Sequence, residues 1–278
     1  MLLGELLQGI AYERVSRFED REIAGITTDS KHVMKGDLFV CFSGGEHDGH
    51  EYAAEALAAG ASALAVEREL PLPAPQIVVK DGRKAAGEIA AAFYEHPEEK
   101  LKVIGVTGTN GKTTTCHMLA SILTAAGKEC GIIGTLGIRY ANREISPDLT
   151  TPDPPYLYKI FADMAEAGVE YVVMEVSAHA LYFGKVDGVR FEAGIFTNFT
   201  EDHLDFFKTM DAYAAAKEKL FEKGRCKFSV FNFDDEEGRK IAAATDGAYS
   251  YGLENPADVF AVDIRENFDG CSYVINLF

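Results

Sequence analysis

The chain has 278 residues, a formal net charge of −17 and an apolar share of 47%, which suits a soluble globular protein long enough for one large domain and more readily for two. So acidic a molecule repels phosphate backbones and anionic lipid, so neither nucleic acid nor a membrane is an expected partner. A phosphorylated ligand would have to be held by local backbone dipoles, lysines and metal ions.

The start, Met1-Leu2-Leu3-Gly4-Glu5, has neither a basic flank nor a long apolar run, and no stretch approaches membrane-span length. Cys41, Cys116, Cys130, Cys226 and Cys271 are odd in number, widely separated and without paired-ligand spacing. They are expected to be reduced, mostly core residues of a cytoplasmic, monomeric protein.

Ile26-Thr27-Thr28-Asp29-Ser30 has the pattern of a strand end and turn, and Gly36-Asp37 introduces an apolar strand over 38–42. Residues 43–50 form a loop of small and polar residues, a candidate small-molecule site. A metal site there, from His47 and His50 with Glu46 and Asp48, lacks any ordering spacing, and solvated loop histidines are far commoner. A helix is expected over 51–59, stopped by Gly60, then strands over 61–66 and 76–79 and a helix over 85–94 ended by His96-Pro97. This alternation makes a first α/β domain over 1–99; Glu98-Glu99-Lys100 is a polar hinge, and a second domain runs over 100–278.

The second domain opens with an apolar strand over 103–106, the loop Gly108-Thr109-Asn110-Gly111-Lys112-Thr113-Thr114 and a helical pattern over 113–126. A loop in that setting aims backbone N–H groups at one spot, and the helix adds its positive dipole end. Lys112 would reach a β- or γ-phosphate and the Thr113 hydroxyl would ligate Mg²⁺. The general phosphate-loop pattern wants glycine at Val106, and here the glycine is at Gly108. A plain glycine-rich strand-to-helix turn is the competing reading.

Strand and helix then alternate: a strand over 129–133, a turn at Gly134–Gly137, a helix start at Thr150-Thr151-Pro152-Asp153 and a helix over 156–167 stopped by Gly168. An apolar strand over 171–174 runs into Glu175-Val176-Ser177-Ala178-His179, and another over 193–197 runs into Asn198-Phe199-Thr200-Glu201-Asp202-His203. Glu175 is a candidate Mg²⁺ ligand or an ordinary strand-end charge. Lys217, on a helix over 210–221, could face the site, although its spacing beside Glu218 and Lys219 favours a solvent-facing side chain. A strand over 228–231, a helix over 237–245 and strands near 249–251, 259–264 and 273–276 complete the pattern. Three strand ends thus deliver polar residues to one edge of one mostly parallel sheet, where open α/β sheets bind ligands.

Several runs occur together in the order seen in Mur ligases. They are Thr27-Thr28-Asp29-Ser30, Gly36-Asp37-Leu38-Phe39, Gly108 to Thr114, Thr150-Thr151-Pro152-Asp153, Met174 to Leu181, Thr197 to Asp205 and Ala215-Ala216-Lys217. The chain resembles that family over essentially its whole length, and most resembles the members that add the third amino acid of the peptidoglycan stem. The displaced glycine is the family's own form of the loop. The resemblance implies a small UDP-binding α/β domain followed by a phosphate-loop ATPase domain. It implies ATP-dependent amide formation in peptidoglycan synthesis: ATP phosphorylates the carboxylate of UDP-N-acetylmuramoyl-L-alanyl-D-glutamate, and the amine of diaminopimelate or lysine attacks the acyl phosphate. Such phosphoryl transfer depends on positioning and charge neutralisation more than on covalent chemistry.

By the same resemblance, Gly108, Thr109, Asn110, Gly111, Lys112, Thr113 and Thr114 hold the ATP phosphates, and Thr113, Glu175 and His203 surround Mg²⁺. Lys217 takes the place of a carbamylated lysine that binds a second Mg²⁺. Thr28, Ser30, Gly45, Glu46 and His47 would meet the nucleotide end of the UDP-sugar peptide, and Thr150, Thr151, Ser177 and Lys185 its muramoyl-peptide end. Lys112, Glu175, His203 and Lys217 are the expected catalytic set. Some members carry glutamine and arginine where this chain has Phe183 and Lys185, and a lysine cannot make the bidentate fork of an arginine. Family members also continue into a carboxyl-terminal domain that brings an asparagine motif near adenine and the amino-acid pocket. This chain is therefore expected to be a fragment with little ligase activity alone. The alternatives are another member of the superfamily (dipeptide-adding or folylpolyglutamate-forming), a non-catalytic nucleotide-binding module, or a plain phosphate-loop kinase.

Overall fold

The computed structural model describes residues 1–44, 47–146, 149–268 and 270–277. It divides into two compact units, one of Met1–Lys100 with Pro152–Glu166 and Phe183–Gly188, the other of Leu101–Thr151, Ala167–Tyr182 and Val189–Phe278. The chain first passes between them at 100/101, against the 99/100 division read from the sequence. Contacts additionally group the helix Pro154–Glu166 with the first hundred residues.

In the first unit a five-stranded sheet has the order Arg14–Ser16, Gln76–Val78, Ala63–Val66, Asp37–Val40, Gly25–Thr27, with only the Arg14–Ser16 edge antiparallel. Its inner strands are buried at every position, and apolar except for Gln76 and Asp37, because both faces are covered, and successive side chains point to opposite faces. Leu38, Val40, Ala63 and Ala65 belong to one core cluster with Leu3, Leu6 and Ile89. Phe39, Cys41, Leu64 and Val66 belong to the other with Ala53 and Ala56. The predicted helix over 51–59 is a 3-10 turn, Gly49–Tyr52, followed by the helix Ala53–Ala59, which Gly60 ends at φ +114. Asp48 caps the turn by accepting from the His50 amide at 3.0 Å, which breaks the helical path at its start.

The second unit holds a ten-stranded sheet in the order Gly270–Leu277, Val259–Asn267, Ala248–Gly252, Cys226–Asn232, Phe191–Phe196, Lys102–Thr107, Tyr171–Glu175, Cys130–Gly134, Gly137–Tyr140, Arg143–Ile145. The seven strands from Val259–Asn267 to Cys130–Gly134 run parallel, and antiparallel strands close both edges. Lys102–Thr107 lies between Phe191–Phe196 and Tyr171–Glu175, so the three strand ends singled out in the sequence are adjacent. Val106 is a fully buried strand residue, so the position where the general pattern has glycine is core here. The turn expected at Gly134–Gly137 continues into the hairpin Gly137–Tyr140/Arg143–Ile145, whose short edge strands lack a clear apolar alternation. The helix expected over 210–221 is α-helical over Met210–Glu218 and tightens to 3-10 over Lys219–Phe221.

Candidate active site

The phosphate loop is shaped by residues from the neighbouring strand. Gly108 sits at φ +144, and a Cβ there would lie 2.0 Å from Thr197 Oγ1; only glycine fits. Asn198 O accepts from Thr109 N–H at 2.9 Å, Asn198 Oδ1 from Asn110 N–H at 2.9 Å, and Thr197 Oγ1 donates to Asn110 O at 2.7 Å. These two amides therefore hold the loop's shape. Gly111 precedes the helix Lys112–Ala125 at φ +82. Its first intrahelical bond runs from Thr115 N–H to Gly111 O at 2.9 Å, so the amides of Lys112, Thr113 and Thr114 precede the hydrogen-bond ladder, at the positive dipole end.

Glu175, the last residue of its strand, is 1% exposed. Its Oε1 accepts from Thr113 Oγ1 at 2.9 Å and Thr135 N–H at 2.8 Å, and Oε2 from Thr135 Oγ1 at 3.2 Å. The site needs Gly134, where a Cβ would lie 2.3 Å from Glu175 Oε1. Among the described residues no lysine or arginine pairs with this carboxylate. A buried carboxylate beside a hydroxyl at the mouth of an anion-binding loop is an oxygen donor set that suits Mg²⁺. An imidazole suits that ion less, and the metal role of His203 rests on the resemblance. His203, at φ +53 before the short helix Leu204–Phe207, has its Nε2 3.4 Å from Asp202 Oδ2 and its side chain 47% exposed.

Lys217 overturns the solvent-facing reading that its spacing favours. It is 1% exposed, donates to Gly108 O at 2.8 Å and lies 4.4 Å from the Tyr213 ring centroid. Burial pushes its amine down to about 7, helped by the Lys112 charge and opposed by Asp202. The small residues before it, Ala214 and Ala216, are buried and let the helix approach the loop. Lys112 donates to Gly108 O at 3.0 Å and Thr109 O at 2.8 Å, and burial lowers its pKa. A cavity of about 280 Å³ is lined by Thr109 to Thr113, Thr135, Thr150, Glu175, Ser177, Ala178, His203, Tyr213 and Lys217. Lys112, Glu175 and His203 thus share one cavity, as the convergence of strand ends requires.

Residues 106–277, well over half of the chain, match the Mur ligase middle domain, and residues 22–94 match the Mur ligase family, catalytic domain. The chain belongs to the Mur ligase family. It is similar to the UDP-N-acetylmuramoyl-L-alanyl-D-glutamate--2,6-diaminopimelate ligase of Clostridium perfringens, 38% identical over 100% of this chain and 58% of that protein. The enzyme of the same name from Clostridioides difficile is 41% identical over 98% of this chain and 57% of its own length. A solved structure of a ligase of that name superposes with TM-score 0.78 at 28% identity, covering 91% of this chain and 53% of the other. The D-alanyl-D-alanyl-adding ligase of Acinetobacter baumannii gives TM-score 0.67 at 25% identity, covering 99% of this chain and 60% of its own. The chain thus spans less than two thirds of the length of these relatives.

The remaining expected site residues divide between the units. Thr150 Oγ1 lies 3.1 Å from Thr135 Oγ1 at the mouth of the cavity. Thr151, 2% exposed, donates to Glu175 O at 2.9 Å and accepts from Ser177 N–H at 3.1 Å. It positions Glu175. Ser177 Oγ accepts from Ala180 N–H at 3.1 Å and lines the cavity. Thr28, Ser30, His47 and Lys185 belong to the first unit. Ser30 opens a 3-10 turn capped by Asp29, Thr28 is half-buried and His47 is exposed. Lys185 Nζ pairs with Asp153 Oδ1 at 2.7 Å. Gly45 and Glu46 lie outside the described residues. Sequence reasoning missed Thr135 and Tyr213, which line the cavity, and Asn198, which shapes its loop. Asn198 was legible as the first polar residue after its strand, whereas Thr135 sits in a turn whose approach to Glu175 only the fold reveals.

Proposed function

We propose that this chain forms the ATP-binding and UDP-muramoyl-dipeptide-binding parts of an ATP-dependent ligase that joins diaminopimelate to UDP-N-acetylmuramoyl-L-alanyl-D-glutamate. The observation that carries the reading is the cavity where the free amides of a phosphate loop, Lys112 and the Thr113–Glu175 pair meet. The amides and Lys112 bind the triphosphate, with Lys112 leaving the loop carbonyls for phosphate oxygens. Thr113 and Glu175 hold Mg²⁺, with His203 at the rim. When bound, the ion neutralises phosphate charge as phosphoryl transfer proceeds. Lys217, whose pKa burial lowers to about 7 so that a large fraction is the neutral amine near that pH, is suited to add CO₂ and release a proton, and the resulting carbamate would hold a second Mg²⁺. The resemblance assigns Lys185, Thr150, Thr151 and Ser177 to the acceptor's peptide, with Thr151 acting through its bonds to Glu175 and Ser177, and Thr28, Ser30, Gly45, Glu46 and His47 to its uridine end. The choice of diaminopimelate over lysine is supported by relatives about 40% identical that carry that name. The chain acts as a cytoplasmic monomer in this reading.

Calorimetry with a non-hydrolysable ATP analogue and Mg²⁺ tests the first half. Saturable binding that Lys112→Ala abolishes is expected, and no binding by the unaltered chain overturns the reading. An amide-forming assay with the muramoyl dipeptide, ATP and either diaminopimelate or lysine tests the second half. Little turnover by this chain alone is expected, and robust turnover would refute its fragment character.

A further inference from the structure

The first unit contains a cavity of about 470 Å³, with several charged side chains in its lining, that the nucleotide chemistry does not use. It forms where the helix Gly82–Phe93 ends and the chain turns through His96 into the 3-10 turn Pro97–Lys100. His96, Glu98 and Glu99 all line it, and one ligand atom from each lies within 4.8 Å of the others. His96 Nδ1 contacts Glu98 Oε1 at 3.1 Å. A simple imidazole–carboxylate pair accounts for that contact and for nothing else in the cavity.

Two further atoms need a partner. Glu98 is 8% exposed, and its second oxygen, Oε2, is buried without a hydrogen bond. The hydroxyl of Tyr158, a residue 1% exposed that lines the same cavity, is likewise buried and unpaired. An unmet buried oxygen costs about 1–3 kcal/mol, more when charged, so two such atoms in one cavity call for a partner there, a water, a ligand or an ion. Room for the hydroxyl depends on Gly188, where a Cβ would lie 2.3 Å from it. The cavity's lysines pair with other carboxylates: Lys185 with Asp153 at 2.7 Å and Lys84 with Glu88, also in the wall, at 3.5 Å.

We propose that His96, Glu98 and Glu99 bind a first-row divalent cation, Zn²⁺ foremost, in this cavity, with the Tyr158 hydroxyl as a buried hydrogen-bonding group beside it. One imidazole and two carboxylates make a mixed nitrogen–oxygen set that Zn²⁺ accepts readily and that Mg²⁺ or Ca²⁺, which take oxygen ligands, does not match. Three protein ligands leave a coordination position for water, and the cavity is large enough to hold one. The ion would tie His96 to the 3-10 turn Pro97–Lys100 that follows it. The site is independent of the phosphate loop and does not rest on the function proposed above.

The test is calorimetric titration of chelator-stripped protein with ZnCl₂ in the absence of nucleotide. Saturable uptake of one Zn²⁺ is expected, weakened more than about tenfold in Glu98→Gln and in Glu99→Gln, with the metal raising the melting temperature of the unaltered protein only. Glu99 is exposed, so its variant decides the matter if Glu98→Gln fails to fold. No saturable uptake, or equal affinity in the unaltered protein and both variants, overturns the proposal and leaves a bare His96–Glu98 pair.

Discussion

A single buried amine illustrates how much of this site lies in the surroundings of a side chain. Lys217 is held near neutrality because its ammonium form has lost water and faces Lys112, while Asp202 offsets part of that penalty. The sign of its effect on stability follows. Its folded pKa, about 7, lies below the ordinary lysine value of 10.5. Between those values the unfolded chain binds a proton that the folded site refuses, so this group's contribution rises with pH through that window and is flat below about 7. Melting curves from pH 7 to 10 are expected to show that rising component, and Lys217→Met to lack it. A mass gain of one CO₂ on the peptide containing Lys217, lost on acidification, would identify the carbamate. At Gly134 the decisive quantity is a distance. Gly134→Ala places a methyl 2.3 Å from Glu175 Oε1 and costs about 1–3 kcal/mol, with weaker Mg²⁺-dependent nucleotide binding in the calorimetric assay.

At the scale of elements, the order of strands does what no single residue can. Lys102–Thr107 is flanked by Tyr171–Glu175 and Phe191–Phe196, so three sequence-distant strand ends open on one spot. The segment after Phe191–Phe196 is tied down from a third element. Asp235 caps the helix Glu236–Ala243 by accepting from Gly238 N–H at 2.8 Å, and its other oxygen accepts from Phe199 N–H at 2.7 Å. Asp235→Ala therefore loses a helix cap and a loop anchor together. A loss of about 1–2 kcal/mol in denaturant unfolding is expected, with nucleotide affinity reduced because the anchored segment leads from Asn198 to His203. The alternation of strands and helices, and the strand-end position of Glu175, were legible because parallel strands buried on both faces are continuously apolar. The helix Leu204–Phe207 was not: four residues, Leu-Asp-Phe-Phe, carry no period.

For the whole molecule, the charge of −17 makes local arrangement essential, since the average field opposes an anionic ligand. Binding linkage gives a direct check: Mg²⁺ with an ATP analogue at about one hundred times its Kd is expected to stabilise the nucleotide-binding unit by about 2.7 kcal/mol. An unshifted calorimetric transition would count against the site. The chain's membership in its family follows from matches over most of its length, and the relatives' extra length leaves catalysis by this chain a matter for the turnover assay.

By itself the sequence determined the two α/β patterns, the phosphate loop, the strand-end carboxylate and the order of motifs, because periodicity and glycine placement act over a few residues. It did not determine that Lys217 is buried, that Asn198 and Thr197 shape the loop from another strand, that Thr135 reaches Glu175, or that His96 and Glu98 share a cavity with Tyr158. Those facts depend on which distant segments lie side by side. Desolvation, hydrogen bonding and steric exclusion arise only between groups already in contact, so only the tertiary structure decided them.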